Sequence, residues 1–533
     1  MAQIILIYAP SQFSCPKVYL PIRQLATVSQ ILLDSKIDNL IYDFGCLSAY
    51  KQYYSTRNQI LKKKHSVKSL LRALFAKGSD DKPNENEYIK WLVDSIELTP
   101  HAKCIVFWID NRDDLRLARK IALNIKKKFS KNLIVVGMGN YIKFTGPYIL
   151  PYIPEFDCII LDHWESTIVP LWDTLSNSKE LCRVPNSAVY SGGSISLGPI
   201  RRYISLEDIP IPTYEAYKGI LDNEKIRIFT IEHSRDGFVT YVEPVSLRTK
   251  VSATPTKILE EISYLRKKFN SLCFHFTGEA TTLSEFQAFT LSLIKAPFYI
   301  YYTRALNCLE IEGDLVHTVS VSGGKGIEVK VPTGSQRLLS NFYGIMRTVS
   351  SLEGALSVLS SSQVYTAIEC FYPSPEDDRH TFAETLRFIQ RVKPDLVKVS
   401  PVWLWPDSPW WENRVQLGFN IDTQEYFKWL AGDDIPNVNY PMWRPFSPDL
   451  MKEEIKKLKV SCNGDVVLAL VGEVLQISKK QKGFKQMLED AFSSSEPEFL
   501  EDIFTQFNYR MGKKVMSENW NARMSTTYRA VAN

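Results

Sequence analysis

The sequence predicts an α/β protein of three parts. These are an N-terminal doubly wound, Rossmann-like domain (1–185), a central (β/α) partial barrel (225–440) and a C-terminal helical domain (441–533). Three observations predict it. Apolar runs of strand length alternate with amphipathic stretches from residue 3 to about 185. That alternation stops in a Gly-, Ser- and Pro-rich connector at 186–224 and restarts at Lys225. At 533 residues the chain is too long for one ordinary core. Strand then helix, repeated, builds a parallel sheet, and such sheets bind ligands outside the carboxyl ends of their strands.

In the first domain Gln3–Tyr8 reads as a strand, followed by the proline-containing loop Ala9, Pro10, Ser11 through Phe13. Leu40–Phe44 is a second strand, with Asp43 near its end, and residues 50–100 are a lysine-rich helical insertion. Cys104–Ile109 contains Trp108, and Leu133–Val136 breaks into the glycine turn Gly137, Met138, Gly139, Asn140, Tyr141. Asp157–Leu161 is a fifth strand, leading into Asp162, His163, Trp164, Glu165, Ser166, Thr167. The glycines allow a backbone to approach a ligand closely. The turn is not GxGxxG and does not close the first strand, so a dinucleotide site is not indicated.

In the second half the strand candidates are Ile226–Ile231, Leu272–Phe276, Phe298–Tyr302, Val316–Val321, Tyr365–Phe371 and Leu396–Ser400. Helices are expected at 256–269, 281–295, 335–360 and 380–392. A (β/α) barrel keeps its chemistry at strand carboxyl ends. Beyond Pro441, four stretches read as helices: Met451–Val460, Val466–Lys479, Gly483–Phe492 and Pro497–Phe507.

Composition excludes several classes. The net charge of +5 is small and interleaved, which gives no footprint for nucleic acid. The run Lys62-Lys63-Lys64-His65 reads as a solvated helix face. No apolar run is long enough for a membrane span, and the N-terminus reads as a strand rather than a signal peptide. Nine scattered cysteines form no CxxC pair, so the expectation is a cytoplasmic, disulfide-free protein.

The order of these motifs resembles the cobalamin-binding radical S-adenosylmethionine (SAM) superfamily over roughly residues 1–440. The resemblance is carried by the aspartate closing the second strand, Ile134–Gly139, Asp162–Thr167, Leu206–Pro212, Ser252–Leu265, Phe274–Leu283, Phe371–Thr385 and Pro401–Pro409. It implies that the first domain binds cobalamin, through Ala9, Pro10, Ser11, Asp43, Trp108, Gly137, Gly139, Asn140, Tyr141, Glu165 and Thr167. Trp164 could also pack on the corrin ring. The Asp-x-His-x-x-Gly cobalt-ligand motif is absent, and His163 lies in the wrong loop to replace it. In the barrel, Gly278 and Glu279 would receive an ammonium group or serve as a helix N-terminus. Ser320 and Ser322 would approach SAM or form a plain turn.

The departure lies in Ile231–Pro244. The family's loop reads Ser-Arg-Gly-Cys-x-x-x-Cys-x-x-Cys. Here Ser234 and Arg235 are kept, and the cysteine positions fall on Gly237, Tyr241 and Pro244. None of these supplies a thiolate, so no iron–sulfur cluster is expected and no metal ligands are assigned. The polar residues of this loop, His233 and Tyr241 among them, become candidates for acid–base work. Glu369, a carboxylate inside an apolar strand, is the best buried acid. The tryptophans 403, 405, 410 and 411 line a substrate mouth or pack a seam. The implied activity is polar methyl or alkyl transfer using cobalamin and SAM, on a small-molecule or peptide substrate, with a reductase or partner enzyme. The alternatives are a non-catalytic cobalamin-binding partner subunit and a cobalamin-responsive regulator.

Overall fold

A computed structural model describes residues 3–11, 19–64, 85–98, 101–129, 133–201, 205–222, 228–235, 251–278, 283–312, 315–362, 364–371, 374, 376–394, 396–400, 404–419, 421–434, 467–470 and 473–474. Its two main sheets follow the two runs of strand–helix alternation.

The first sheet has seven strands in the order β2-β1-β3-β4-β5-β6-β7. The first five are parallel: β1 Ile4–Tyr8, β2 Asn39–Asp43, β3 Cys104–Trp108, β4 Ile134–Met138 and β5 Cys158–Ile160. β1 and β3 are buried throughout, as expected of strands covered on both faces by helices. The connector is more ordered than its glycines suggest. β6 Ser187–Ser191 and β7 Ser194–Leu197 form an antiparallel hairpin that extends the sheet. Gly192 and Gly193 turn it with φ of 59° and 81°, where a side chain would be strained.

The second sheet runs β17-β16-β15-β14-β13-β12-β11-β8. Its strands are β8 Phe229–Glu232, β11 Cys273–Thr277, β12 Tyr301–Asn307, β13 Gly324–Lys330, β14 Tyr365–Phe371, β15 Leu396–Ser400, β16 Val467–Leu470 and β17 Glu473–Val474. β8 and β17 lie at opposite ends, so the barrel is open, and helix Arg23–Asp34 of the first domain packs at the β8 edge. A separate ladder pairs β9 Ser234–Arg235 with β10 Val251–Ser252, joining the two ends of the segment 236–250.

Three expectations are corrected. Val316–Val321 is part of a helix, Leu315–Val321, not a strand. Its buried Leu315, Val316 and Val319 follow a helical spacing that valine's strand preference had obscured. The fourth barrel strand is therefore Gly324–Lys330. Val467–Leu470, placed in a helical stretch, is a strand paired in parallel with β15. The expected helix at 335–360 is two elements, Leu338–Phe342 and Val349–Ser361. Among the described residues no helix is long and apolar enough to cross a membrane.

Candidate functional site

At the carboxyl edge of the first sheet, most of the sequence candidates are tied to the protein itself. Asp43 accepts from Tyr19 Oη at 2.7 Å and from the Gly45 amide at 2.9 Å. Ala9 is buried, the Pro10 carbonyl accepts from Tyr88 Oη at 3.4 Å, and the Ser11 amide donates to Asp114. Trp108 Nε1 and Asn140 Nδ2 both donate to Asp110, at 2.8 and 2.9 Å. Tyr141 Oη donates to the Leu430 carbonyl at 2.7 Å. Thr167 Oγ1 donates to the His163 carbonyl and accepts from Asn186.

The glycine turn also serves internal packing. Gly137 lies inside β4, where a Cβ would press on Phe156 at 3.2 Å. Gly139 has φ +124°, and a Cβ there would sit 2.3 Å from the Ile109 carbonyl oxygen. The backbone it approaches is that of the neighbouring strand.

Glu165 is the exception, because its partner comes from the other sheet. Arg235, on β9, donates to both of its carboxylate oxygens, at 3.0 and 2.7 Å. The same guanidinium donates to both oxygens of Glu232, each at 2.8 Å. Arg23, from the first domain, donates to Glu232 at 3.0 Å and to both oxygens of Glu261 at 2.8 and 2.9 Å. The result is a buried chain, Glu165–Arg235–Glu232–Arg23–Glu261, that crosses the domain boundary three times. Planar bidentate geometry is what lets arginine hold such pairs out of water. Burial pushes the Glu232 carboxyl up, but Arg235 and then Arg23 outweigh it and the group is held low. Beside this chain Lys143 pairs with Asp162 at 2.9 Å. Burial opposes ionisation of Asp162, yet Lys143, His163 and Arg235 bring it down to about 2.

This chain joins two residues that the sequence marks separately. Glu165 stands in the loop after β5, and Arg235 in the pair that precedes the altered loop. Pairing across 70 positions leaves no spacing signal in one sequence.

The barrel sheet has two faces. Phe276 and Tyr302 meet Phe289 of helix Leu283–Lys295, so their parity faces the helices. The opposite parity carries Thr230, His275, Thr303, Glu328, Lys330 and Glu369, aligned by the parallel register. This is the concave face. Glu369 and Glu328 are buried there, Lys330 is level with Glu369, and His275 Nδ1 lies 3.0 Å from Thr303 Oγ1. Sequence reading found Glu369 and missed Glu328 and His275, which alternate with apolar residues in the same way.

His233 lies on the other side. It packs on Phe289, and Arg304 Nη1 donates to its Nδ1 at 2.7 Å. A guanidinium cannot accept, so His233 Nδ1 carries no proton there. The histidine faces the helix layer, away from Glu369. Gly278 also serves the fold: with φ +107°, a Cβ would lie 2.4 Å from the Ser234 carbonyl oxygen, and its own carbonyl accepts from Arg304. Ser320 ends a helix, and Ser322 shares a 2.9 Å hydrogen bond with Tyr302 before β13 begins. Both sit at the amino end of β13, opposite the edge where ligand groups collect. The valine-rich helix displaced the expected strand, and the two serines with it. Tyr241 and Glu279 lie outside the described residues, as do Gly237 and Pro244. Trp405 packs on Phe144 and Tyr141 of the first domain, and Trp410 on Phe342. Trp403 is outside the described residues.

The fit of cobalamin can be tested at the end of β5. Trp164 follows His163, whose backbone is left-handed at φ 49°. Its ring meets Trp108 edge to face at 4.7 Å, and the Arg235 guanidinium lies 5.6 Å from its centroid. Its Nε1 is buried and makes no hydrogen bond. Both rings are 2% exposed and the Trp164 Nε1 is shielded by protein, so the pair packs the carboxyl edge of the sheet and would underlie a corrin site without lining it. For a cluster, no three His, Cys, Asp or Glu among the described residues are grouped to hold a metal. Burial pushes the thiols of Cys158, Cys273 and Cys370 up to about 12, against thiolate formation.

No family model matches the sequence. An uncharacterised methyltransferase of Pyrococcus horikoshii is 21% identical over 350 residues, 63% of this chain and 74% of its own length. The radical SAM methyltransferase TsrM of Kitasatospora setae, solved with tryptophan substrate and a SAM analogue, matches with TM-score 0.64 at 11% identity, covering 100% of this chain and 99% of that one. Another structure of that enzyme holds cobalamin and a four-iron four-sulfur cluster. OxsB, a cobalamin-dependent SAM radical enzyme solved with aqua-cobalamin and SAM, matches at TM-score 0.55 and 14% identity over 92% of this chain. The chain spans 61% of the length of OxsB in that structure. The chain has the fold of the cobalamin-dependent radical SAM enzymes, a Rossmann-like sheet joined to an open (β/α) barrel.

Proposed function

We propose that the protein transfers a methyl group from SAM by a polar, cluster-free route, with cobalamin held between the first sheet and the barrel. The observation that carries the reading is the altered loop. Its preceding Arg235 is fixed by four hydrogen bonds to Glu165 and Glu232, while its three cluster positions are Gly237, Tyr241 and Pro244. Arg235 at the start of this segment is thus fixed, and the sequence that follows offers no thiolate at the three positions matched to the family's loop. Methyl transfer in general is supported by the methyltransferase relative and by the structural neighbours. The cluster-free route departs from TsrM.

Cobalamin, when bound, supplies a nucleophilic metal centre suited to polar methyl transfer. The chain's own residues do the rest. Trp108 and Trp164 pack together beneath the carboxyl edge of the first sheet, and the Arg235–Glu165 pair ties that edge to β9. The buried carboxylates Glu328 and Glu369 make the concave face suited to a cationic co-substrate. Glu369 is placed to hold or move a proton on the methyl acceptor, and Lys330 beside it to orient an anionic group.

The test is reconstitution of the purified chain with hydroxocobalamin and, separately, with iron and sulfide, followed by desalting and visible spectra. The expected result is a retained corrin spectrum and no sulfide-to-iron band. Label from methyl-labelled SAM should then reach the corrin fraction under a low-potential reductant. A stable iron–sulfur band would overturn the cluster-free route. Retained corrin with no label uptake under any reductant would favour a binding subunit.

A further inference from the structure

We infer that the edge strand β7 pairs with β7 of a second copy of this chain, joining their first sheets into one across a two-fold axis. The first sheet ends at β7, where β6 is its one neighbour among the described residues. All of its residues, Ser194–Leu197, are exposed. An open edge strand presents unpaired backbone groups, and proteins ordinarily guard it with charge, proline or a bulge. Ser194–Leu197 has no charged residue and no proline, and its register with β6 is regular. One face of the hairpin is apolar instead. Tyr190 stands opposite Ile195, and they are 43% and 37% exposed. Leu197, on the same face, is 61% exposed, and Ile200 just beyond is 78% exposed. Apolar side chains grouped and open in this way mark an interaction surface.

The backbone parity says what fits this edge. Gly192 and Gly193 make a two-residue turn, so Ser191 and Ser194 form the first hydrogen-bonded pair of the hairpin and alternate pairs follow. The Gly198 amide donates to the Ser187 carbonyl at 2.8 Å, in keeping with that parity. Ser194 and Ser196 therefore turn their N–H and C=O groups toward β6, and Ile195 and Leu197 turn theirs to the open edge. An antiparallel second copy centred on Ser196 sets Ile195 opposite Leu197 of the copy, and Leu197 opposite its Ile195. Every outward N–H and C=O then has a partner. A two-fold axis perpendicular to the sheet keeps both apolar faces on one side, where Tyr190, Ile195 and Leu197 of each copy form one stripe. A register centred on Ile195 would instead set Leu197 opposite the turn residue Gly193. A strand of another protein would satisfy the backbone groups, whereas self-pairing matches the side chains as well. So short a strand falls below the roughly 20–30 residues a side of a standard interface, so the dimer is reversible and depends on concentration.

The experiment follows the full-length protein by sedimentation velocity across the micromolar range. The expected result is a weight-average mass that rises with concentration from one chain toward two. Ile195→Pro removes an outward N–H from each copy and leaves the ladder to β6 intact, because that N–H does not face β6. With its fold checked by circular dichroism, this variant should dimerise about tenfold more weakly or worse, for two hydrogen bonds lost per dimer. Ser196→Cys tests the register. It places two thiols opposite each other in a non-hydrogen-bonded pair, whose Cα separation of about 4.5 Å suits a disulfide. Mild oxidation should cross-link Ser196→Cys but not Ser194→Cys, which carries the same native cysteines. A wild-type protein that stays monomeric throughout would overturn the inference and leave the edge to a different partner. A folded Ile195→Pro that dimerises as tightly as the wild type, or equal cross-linking of the two cysteine variants, would place the contact elsewhere and overturn it too.

Discussion

At the scale of single residues, Arg235 carries most of the account. It donates four hydrogen bonds to two buried carboxylates from different domains. Breaking a buried pair by removing one partner costs about 3–5 kcal/mol, because the remaining charge is left dry. Arg235→Met should therefore destabilise the protein by several kcal/mol in chemical denaturation, while Arg235→Lys should recover only part, since an ammonium cannot hold both carboxylates in a plane. Equal stability of the wild type and Arg235→Met would show that the chain Glu165–Arg235–Glu232 contributes nothing. Gly278 belongs to the same corner. Gly278→Ala forces a Cβ to within 2.4 Å of the Ser234 carbonyl at a backbone conformation alanine resists. It should lower the melting temperature more than Gly193→Ala, which has open space around it.

Elements show what the sequence could and could not convey. The strands β1, β3 and β4 were legible because continuous apolar runs of five residues bounded by polar ones have few other uses. The helix Leu315–Val321 was not, because seven residues rich in valine satisfy both periodicities. Val467–Leu470 escaped for a related reason: its partner β15 ends at Ser400, and parallel pairing over that distance leaves no local mark. Site residues divide in the same way. Glu369 stood out as a charge in an apolar strand, whereas the Arg235–Glu165 pair needed three dimensions.

The turn before helix Arg379–Val392 makes a pH prediction at this scale. Asp377 accepts from the Ser374 amide at 2.8 Å, from Ser374 Oγ at 2.6 Å and from Thr381 Oγ1 at 3.0 Å. Burial nevertheless pushes its carboxyl up to about 6, against the hydrogen bonds from Ser374 and Thr381. A carboxyl raised in the folded state stabilises it fully below the unfolded value near 4, and that contribution is lost as pH rises through about 6. Stability should therefore contain a falling component between about pH 4.5 and 6.5. Asp377→Asn should remove that component, and an unchanged pH profile would contradict the assignment. Asp162, held down to about 2, acts in the opposite sense: its contribution is present above about pH 4 and is lost only as pH falls through about 2.

For the whole molecule, the two sheets share one apolar core, and buried charge pairs cross between them. Helix Arg23–Asp34 brings Arg23 to the open β8 edge, and β9 sends Arg235 back to Glu165. A second joint is made by the segment 404–434. There Arg112 donates to the Trp429 and Asp433 carbonyls at 2.6 and 2.7 Å, and Tyr141 to Leu430. The two joints hold the carboxyl edge of the first sheet against the barrel. The claim that this arrangement works without an iron–sulfur cluster is the centre of the account. The most direct test measures iron and corrin-bound label in one anaerobic sample, reconstituted with iron, sulfide and hydroxocobalamin, desalted, then given methyl-labelled SAM and a low-potential reductant. The account predicts label in the corrin fraction with iron at background. Label transfer that appears only in samples retaining stoichiometric iron and sulfide would contradict it.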